Sequence, residues 1–188
     1  MFTMSPAPRR SPSRVRRDTV VVAGRSLAAA RGFVRLGGLV FPCALGRSGR
    51  RARKREGDGA TPVGCWRLSA VLYRPDRVGR PATGLPVRRL SHRDGWCDAP
   101  ADRNYNRAVS HPYPASAERL WREDGLYDVV VVLSHNARPR VRGCGSAVFM
   151  HVARPGYAPT EGCIALRREH LSRLLERLGR GAKVWVRG

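Results

Sequence analysis

Four consecutive valines, Val129 to Val132 within the run Tyr127 to Leu133, limit what this chain can fold into more than any other segment. β-Branched side chains are stiff at χ1 and favour extended backbone. An apolar run without alternation is a strand covered on both faces, so this segment belongs at the centre of a sheet with material on each side. The rest of the chain offers it partners. Thr19–Ala23, Gly32–Leu36 and Leu39–Leu45 read as short strands, the last two joined by the hairpin-type dipeptide Gly37-Gly38. Val63–Tyr73 reads as a strand broken near Arg67, Ser146–Val152 as another, and Lys183–Val186 as the last. Two helices are expected. Pro114–Arg122 is a short one starting near Ser116, and Arg167–Leu178 carries Leu171, Leu174, Leu175 and Leu178 on one stripe with Gly179 as its stop. The fold class is therefore mainly β with two helices, a sandwich or barrel-like body.

A chain of 188 residues that is 42% hydrophobic can bury one core, which favours a single domain over residues 19–188. Residues 1–18, rich in proline and arginine, read as a disordered basic tail. The formal charge of +22 ordinarily suggests a nucleic-acid partner. Here all but two of the 36 basic residues are arginine, scattered through strands, turns and helices without the interleaved aromatics of a stacking platform. Nucleic acid is accordingly not expected as a partner. The five cysteines show neither C-x-x-C spacing nor a His/Cys cluster with zinc-ligand spacing, so no metal is expected. Cys43, Cys65 and Cys144 lie in apolar strand-like runs and read as core fillers. No stretch has the length of a membrane-spanning helix, and Val20–Ala23 is too short for a signal-peptide core. Stable membrane insertion is not expected. The sequence does not give an oligomeric state.

The chemistry concentrates in His151-Val-Ala-Arg-Pro-Gly-Tyr-Ala-Pro-Thr-Glu-Gly-Cys163. A cysteine just ahead of a helix meets the positive end of the helix dipole and free N–H groups, which favour thiolate and hold an oxyanion. Gly162 keeps Cβ bulk away from the sulfur, and an imidazole at the end of the preceding strand serves as base or ion-pair partner. Cys163 and His151 are thus the candidate catalytic residues, with Thr160, Glu161 and Gly162 as oxyanion or positioning groups.

His151 followed by Thr160-Glu161-Gly162-Cys163-Ile164 resembles the signature of the L,D-transpeptidase (YkuD) catalytic domain, in which a histidine precedes a Ser/Thr-His-Gly-Cys-Ile/Val-Arg block. Gly57-Asp58-Gly59-Ala60-Thr61-Pro62-Val63-Gly64 resembles the Gly-x-x-Thr-Pro-x-Gly turn of the same family, and the likeness runs from about Val20 to Val186. Glu161 stands where the family has a second histidine, and Ala165 where it has an arginine. The resemblance implies acyl transfer on peptidoglycan stem peptides through a Cys163 thioester, with no cofactor, in the periplasm or cell envelope. It implies loss of D-alanine after the third, diamino-acid residue and cross-linking to an amine of another stem. Hydrolysis at the same site, as an L,D-carboxypeptidase or amidase, and a non-catalytic cell-wall-binding module both stay open. The first draws on Glu161, the second on the arginine surface.

Four further residues are candidates for substrate contact. Tyr127 begins the valine strand, and His135 and Asn136 follow its end, where sites often lie. Trp96 sits in the long polar stretch Arg74–Pro112, which is expected to wall the cleft or, equally, to be pinned to the body by its aromatics. Asp58 is expected to shape its glycine-rich turn.

Overall fold

The computed structural model describes residues 19–188; the expected basic tail lies outside the described residues. Fourteen strands and one α-helix follow in order: β1 Thr19–Ala23, β2 Arg31–Leu36, β3 Leu39–Ala44, β4 Arg50–Arg51, β5 Thr61–Pro62, β6 Gly64–Tyr73 and β7 Val87–Arg89. Then come β8 Asp94–Cys97, β9 Arg107–Ser110, β10 Ala117–Arg119, β11 Val129–Leu133, β12 Phe149–Val152, β13 Ile164–Leu166, α1 Arg168–Leu175 and β14 Lys183–Val186. The main sheet runs β11-β12-β13-β3-β2-β1-β14-β6-β7, and β11 also pairs with β6, so eight strands close into a barrel with β7 attached outside the ring. Closure leaves no free edge on the strands that carry the core.

The valine strand behaves as its pattern requires. Val129, Val131 and Leu133 point into the barrel interior with Val20, Val34, Met150, Ile164 and Val184. Val130 and Val132 point outward, where they join Leu72, Leu120, Tyr127 and Phe149 beneath a three-stranded sheet of order β10-β8-β9. A cap over one outer wall explains why no residue of β11 is polar. The α1 stripe buries Leu171, Leu174 and Leu175 in the interior core, each contributing about 1.5–3 kcal/mol.

Four expectations need correcting. Pro114–Arg122 is no helix: Ala117–Arg119 pairs antiparallel with β8, Glu118 opposite Trp96, because cross-strand pairing within the cap overrides the helical propensity of an Ala-Glu-Arg-Leu segment. The body therefore has one α-helix rather than two, shortened to Arg168–Leu175, besides a 3₁₀ turn at Pro155–Tyr157. β6 is not broken at Arg67; its irregularity lies where Val132 pairs with Ala70 and Leu133 with Leu68, a bulge at Ser69. Cys65 is exposed because it falls on an outward position of β6, Cys144 is half-buried in the loop between β11 and β12, and only Cys43 of the three fills the core.

Asn106 ties the cap to the barrel. Its Nδ2 donates to the carbonyls of His135 (3.0 Å) and Asn136 (2.9 Å). Its Oδ1 accepts from Trp96 Nε1 (2.9 Å) and from the Ala147 N–H (3.2 Å). Every capacity of that buried amide is used. Asn106→Ala is expected to leave four buried or part-buried groups without their partner and lower stability by about 3 kcal/mol, at roughly 1–3 kcal/mol per buried unpaired group, a loss that denaturant unfolding measures directly.

Candidate active site

β12 and β13 lie side by side and parallel, with Met150 opposite Ile164 and His151 opposite Ala165. The same register sets Cys163 beside Phe149, so Cys163 and His151 leave the same outer face of the barrel. With strands ~4.8 Å apart and a rise of ~3.3 Å per residue, their Cα atoms are about 8 Å apart on the diagonal. Both border one open cleft of about 510 Å³, shared with Thr160, Gly162, Ala165, Tyr127 and Glu118. Ala165, small and buried, leaves the ground beside His151 clear.

The position of Cys163 follows from local backbone chemistry. Thr160 Oγ1 donates to the Cys163 carbonyl (2.7 Å) and accepts from the Gly162 N–H (3.2 Å). Thr61 Oγ1 donates to the same carbonyl at 3.4 Å. Gly162 has φ +129°, and a Cβ there would come within 2.8 Å of the Ala60 carbonyl oxygen, so only glycine lets the chain pass. The half-buried Cys163 thiol donates to the Ala147 carbonyl (3.4 Å) while Sγ accepts from the Phe149 N–H (3.3 Å). Ala147 holds φ +49°, a strained conformation for a residue with a Cβ. Asn106 holds the Ala147 amide in place.

His151 is buried, with Nδ1 donating to the Val152 carbonyl at 2.8 Å. That bond leaves Nε2 as the lone-pair nitrogen. Burial pushes the imidazole down to about 4, so it is neutral at pH 7. The Cys163 thiol is pushed up to about 12, first by its desolvated surroundings and then by the Glu118 carboxylate. The resting pair is therefore thiol and neutral imidazole, not an ion pair.

The placement of the other candidates is mixed. Tyr127 borders the cleft, its hydroxyl donating to Glu118 Oε1 (2.6 Å) and its ring 5.2 Å from that of His151. Thr160 and Gly162 border it too, but the Gly162 N–H expected to face an oxyanion is already taken by Thr160. Glu161 also borders the cleft, well exposed, with its carboxylate paired to the exposed Arg47 at 2.7 Å. His135 lies behind the cleft wall, its Nε2 donating to the Cys144 carbonyl (2.9 Å) and its ring edge-on to Trp66. Asn136 folds its own loop through Val141 and Gly145. Trp96 supports Phe149 from the cap at 5.2 Å. These three hold the scaffold and do not line the cleft. The helix dipole is also absent from Cys163, because β13 intervenes and α1 starts only at Arg168.

Two residues that the sequence reading missed do line it, Glu118 and Lys54. Burial raises the Glu118 carboxyl's pKa, partly offset by the Tyr127 hydrogen bond and by Arg122. Since its charge opposes ionisation of Cys163, Glu118→Gln is expected to lower the thiol pKa and quicken alkylation of Cys163 by iodoacetamide several-fold at neutral pH. Unchanged labelling would remove Glu118 from the electrostatics of the site.

The site thus joins an imidazole on β12 and a thiol just ahead of the parallel β13 with a threonine-braced Gly-Cys turn on a capped barrel. A family model for the L,D-transpeptidase catalytic domain matches the chain across residues 19–186. The chain belongs to the L,D-transpeptidase catalytic domain family. Neither the curated proteins nor the solved structures yield a match. Members of this family are enzymes, and the family connects the chain with peptidoglycan and the cell envelope. Among the described residues, no helix is long and apolar enough to cross a membrane.

Proposed function

We propose that this L,D-transpeptidase-family domain is a cysteine-dependent acyltransferase acting on peptidoglycan stem peptides in the cell envelope, with Cys163 as nucleophile and His151 as base. One observation carries the reading: the Cys163 thiol and the His151 imidazole enter the same cleft from the same sheet face. His151 Nε2 takes the thiol proton as sulfur attacks the peptide carbonyl, forming a C–S bond and a tetrahedral oxyanion. Collapse breaks the C–N bond, His151 returns the proton to the departing amine, and a thioester remains. An acceptor amine then attacks that carbonyl, gives up a proton to His151 and releases the thiol as the new amide forms. Water in place of the amine yields a free carboxylate from the same intermediate.

The cleft suits a zwitterionic peptide better than a polyanion. Although the chain carries +22, the lining offers Arg47, Lys54, Arg122 and Arg154 against Glu56, Asp98, Glu118 and Glu161. Opposite charges at close quarters recognise a substrate bearing both amines and carboxylates. A nucleic-acid partner would need one sign throughout.

Incubating the full chain with a disaccharide tetrapeptide and resolving the products tests this function. Transfer yields a cross-linked dimer and free D-alanine, hydrolysis a tripeptide and free D-alanine. Unaltered tetrapeptide after prolonged incubation would oppose both.

A further inference from the structure

Lys54 is one of only two lysines among 36 basic residues, and it is the one that is buried, with its side chain 5% exposed. It leaves the loop between β4 and β5 and runs along two glycines. A Cβ on Gly145 would fall 2.8 Å from Lys54 Cγ and 3.1 Å from Cε; a Cβ on Gly162 would fall 3.5 Å from Nζ. Both glycines have positive φ, +93° and +129°. The passage is thus free of side-chain bulk on the nucleophile's side and ends at the residue before Cys163. A slim stem with a compact ammonium fits such a passage, whereas a planar guanidinium does not.

Nζ donates to the Arg55 carbonyl (3.0 Å) and to Asp58 Oδ1. Among the described residues those are its acceptors, which leaves the third N–H for the cleft that Lys54 lines with Cys163. Asp58 is saturated from behind by the N–H groups of Arg55 (2.9 Å) and Ala60 (2.9 Å). The titratable groups that share the cleft with Cys163 are Lys54, Glu56, Glu118 from β10, Tyr127 ahead of β11 and His151 from β12, with Arg47, Asp98, Arg122, Arg154 and Glu161 also lining it. Of these, Glu118 opposes ionisation of Cys163, and Lys54 is the cation that favours it while His151 is neutral.

We propose that the Lys54 ammonium supplies the positive charge that stabilises the Cys163 thiolate, in the place where a helix terminus was expected. The inference rests on Cys163 being the nucleophile of the proposed reaction. A positive charge beside the sulfur favours its ionised form, and the low-dielectric wall keeps that attraction from being screened. Lys54 also lowers the Cys163 pKa against the opposing effects of burial and Glu118.

The test is the pH profile of Cys163 alkylation by iodoacetamide, read on the Cys163 peptide by mass spectrometry in the full chain. Lys54→Met combined with Asp58→Asn leaves no buried charge unpaired. Its midpoint is expected to rise by about one unit, making labelling at neutral pH ~10-fold slower. Asp58→Asn alone leaves the ammonium uncompensated, and its midpoint is expected to fall. A merely structural strut moves neither midpoint, or slows both variants alike, and either result overturns the proposal. If the double variant does not fold, the direction of the single variant decides. This readout uses no peptidoglycan, so an unmoved midpoint refutes the role of Lys54 and leaves acyl transfer standing. A wild-type chain that ignores the tetrapeptide refutes acyl transfer while the lysine's effect on the thiol remains measurable.

Discussion

Cys163→Ala is expected to abolish turnover of the stem peptide, by at least ~10⁴-fold, since residues of a covalent catalytic unit fail together when the nucleophile is lost. The loss should be chemical, not structural. The sulfur is half-buried at the cleft, its hydrogen bonds to Ala147 and Phe149 are weak because a thiol is a poor donor and acceptor, and the turn that carries it is held by Thr160 and Thr61 through its main-chain carbonyl. Alanine keeps that carbonyl and the positive-φ glycine before it. Unfolding should therefore shift by only about 1 kcal/mol, the scale of a small side-chain truncation. Calorimetry alongside product analysis separates the two effects, and turnover within tenfold of wild type would remove Cys163 from the reaction.

His151→Gln is expected to slow acylation by about 10²–10⁴-fold, the usual contribution of a positioned base, and to change how stability depends on pH. A free histidine binds its proton near 6.5, whereas His151 in the fold resists it down to about 4. Between those values the unfolded chain holds more protons, so folding stability falls as pH drops from about 6.5 to about 4. The contribution is complete above 6.5, and its loss amounts to about 3 kcal/mol at the acid end, at ~1.4 kcal/mol per unit. Glutamine can keep a hydrogen bond to the Val152 carbonyl without titrating. The variant should thus retain stability better than wild type on acidification while losing activity at pH 7. Parallel acid-unfolding curves, with no smaller acid loss in the variant, would contradict the burial of a neutral imidazole.

The core was legible because it is written in nearest-neighbour chemistry. Val129–Val132 announces a strand covered on both faces, and the barrel interior and the cap are those two covers. The leucine stripe of α1 is likewise local, so that helix was found, only with a longer C-terminal end. Pro114–Arg122 was misread because its strand exists only through β8, a partner that no window of 114–122 contains. The same blindness affected the site. Cys163 and His151 could be paired from their spacing and from the family resemblance, but which residues border the cleft depends on the barrel's outer face. His135, Asn136 and Trp96 carry the right functional groups, yet they spend them on Cys144, Val141, Gly145 and Asn106. Glu118 and Lys54 reach the cleft from segments 45 and 109 residues before Cys163. Lysine's scarcity was the one sequence signal that pointed to Lys54.

The most direct test of the central claim is the intact mass of the full chain after brief exposure to the disaccharide tetrapeptide. The account predicts one added acyl group, located on Cys163, released by hydroxylamine as a thioester is, and missing from Cys163→Ala. No adduct on Cys163, or acylation spread over Cys163 and the exposed Cys65 alike, would contradict it.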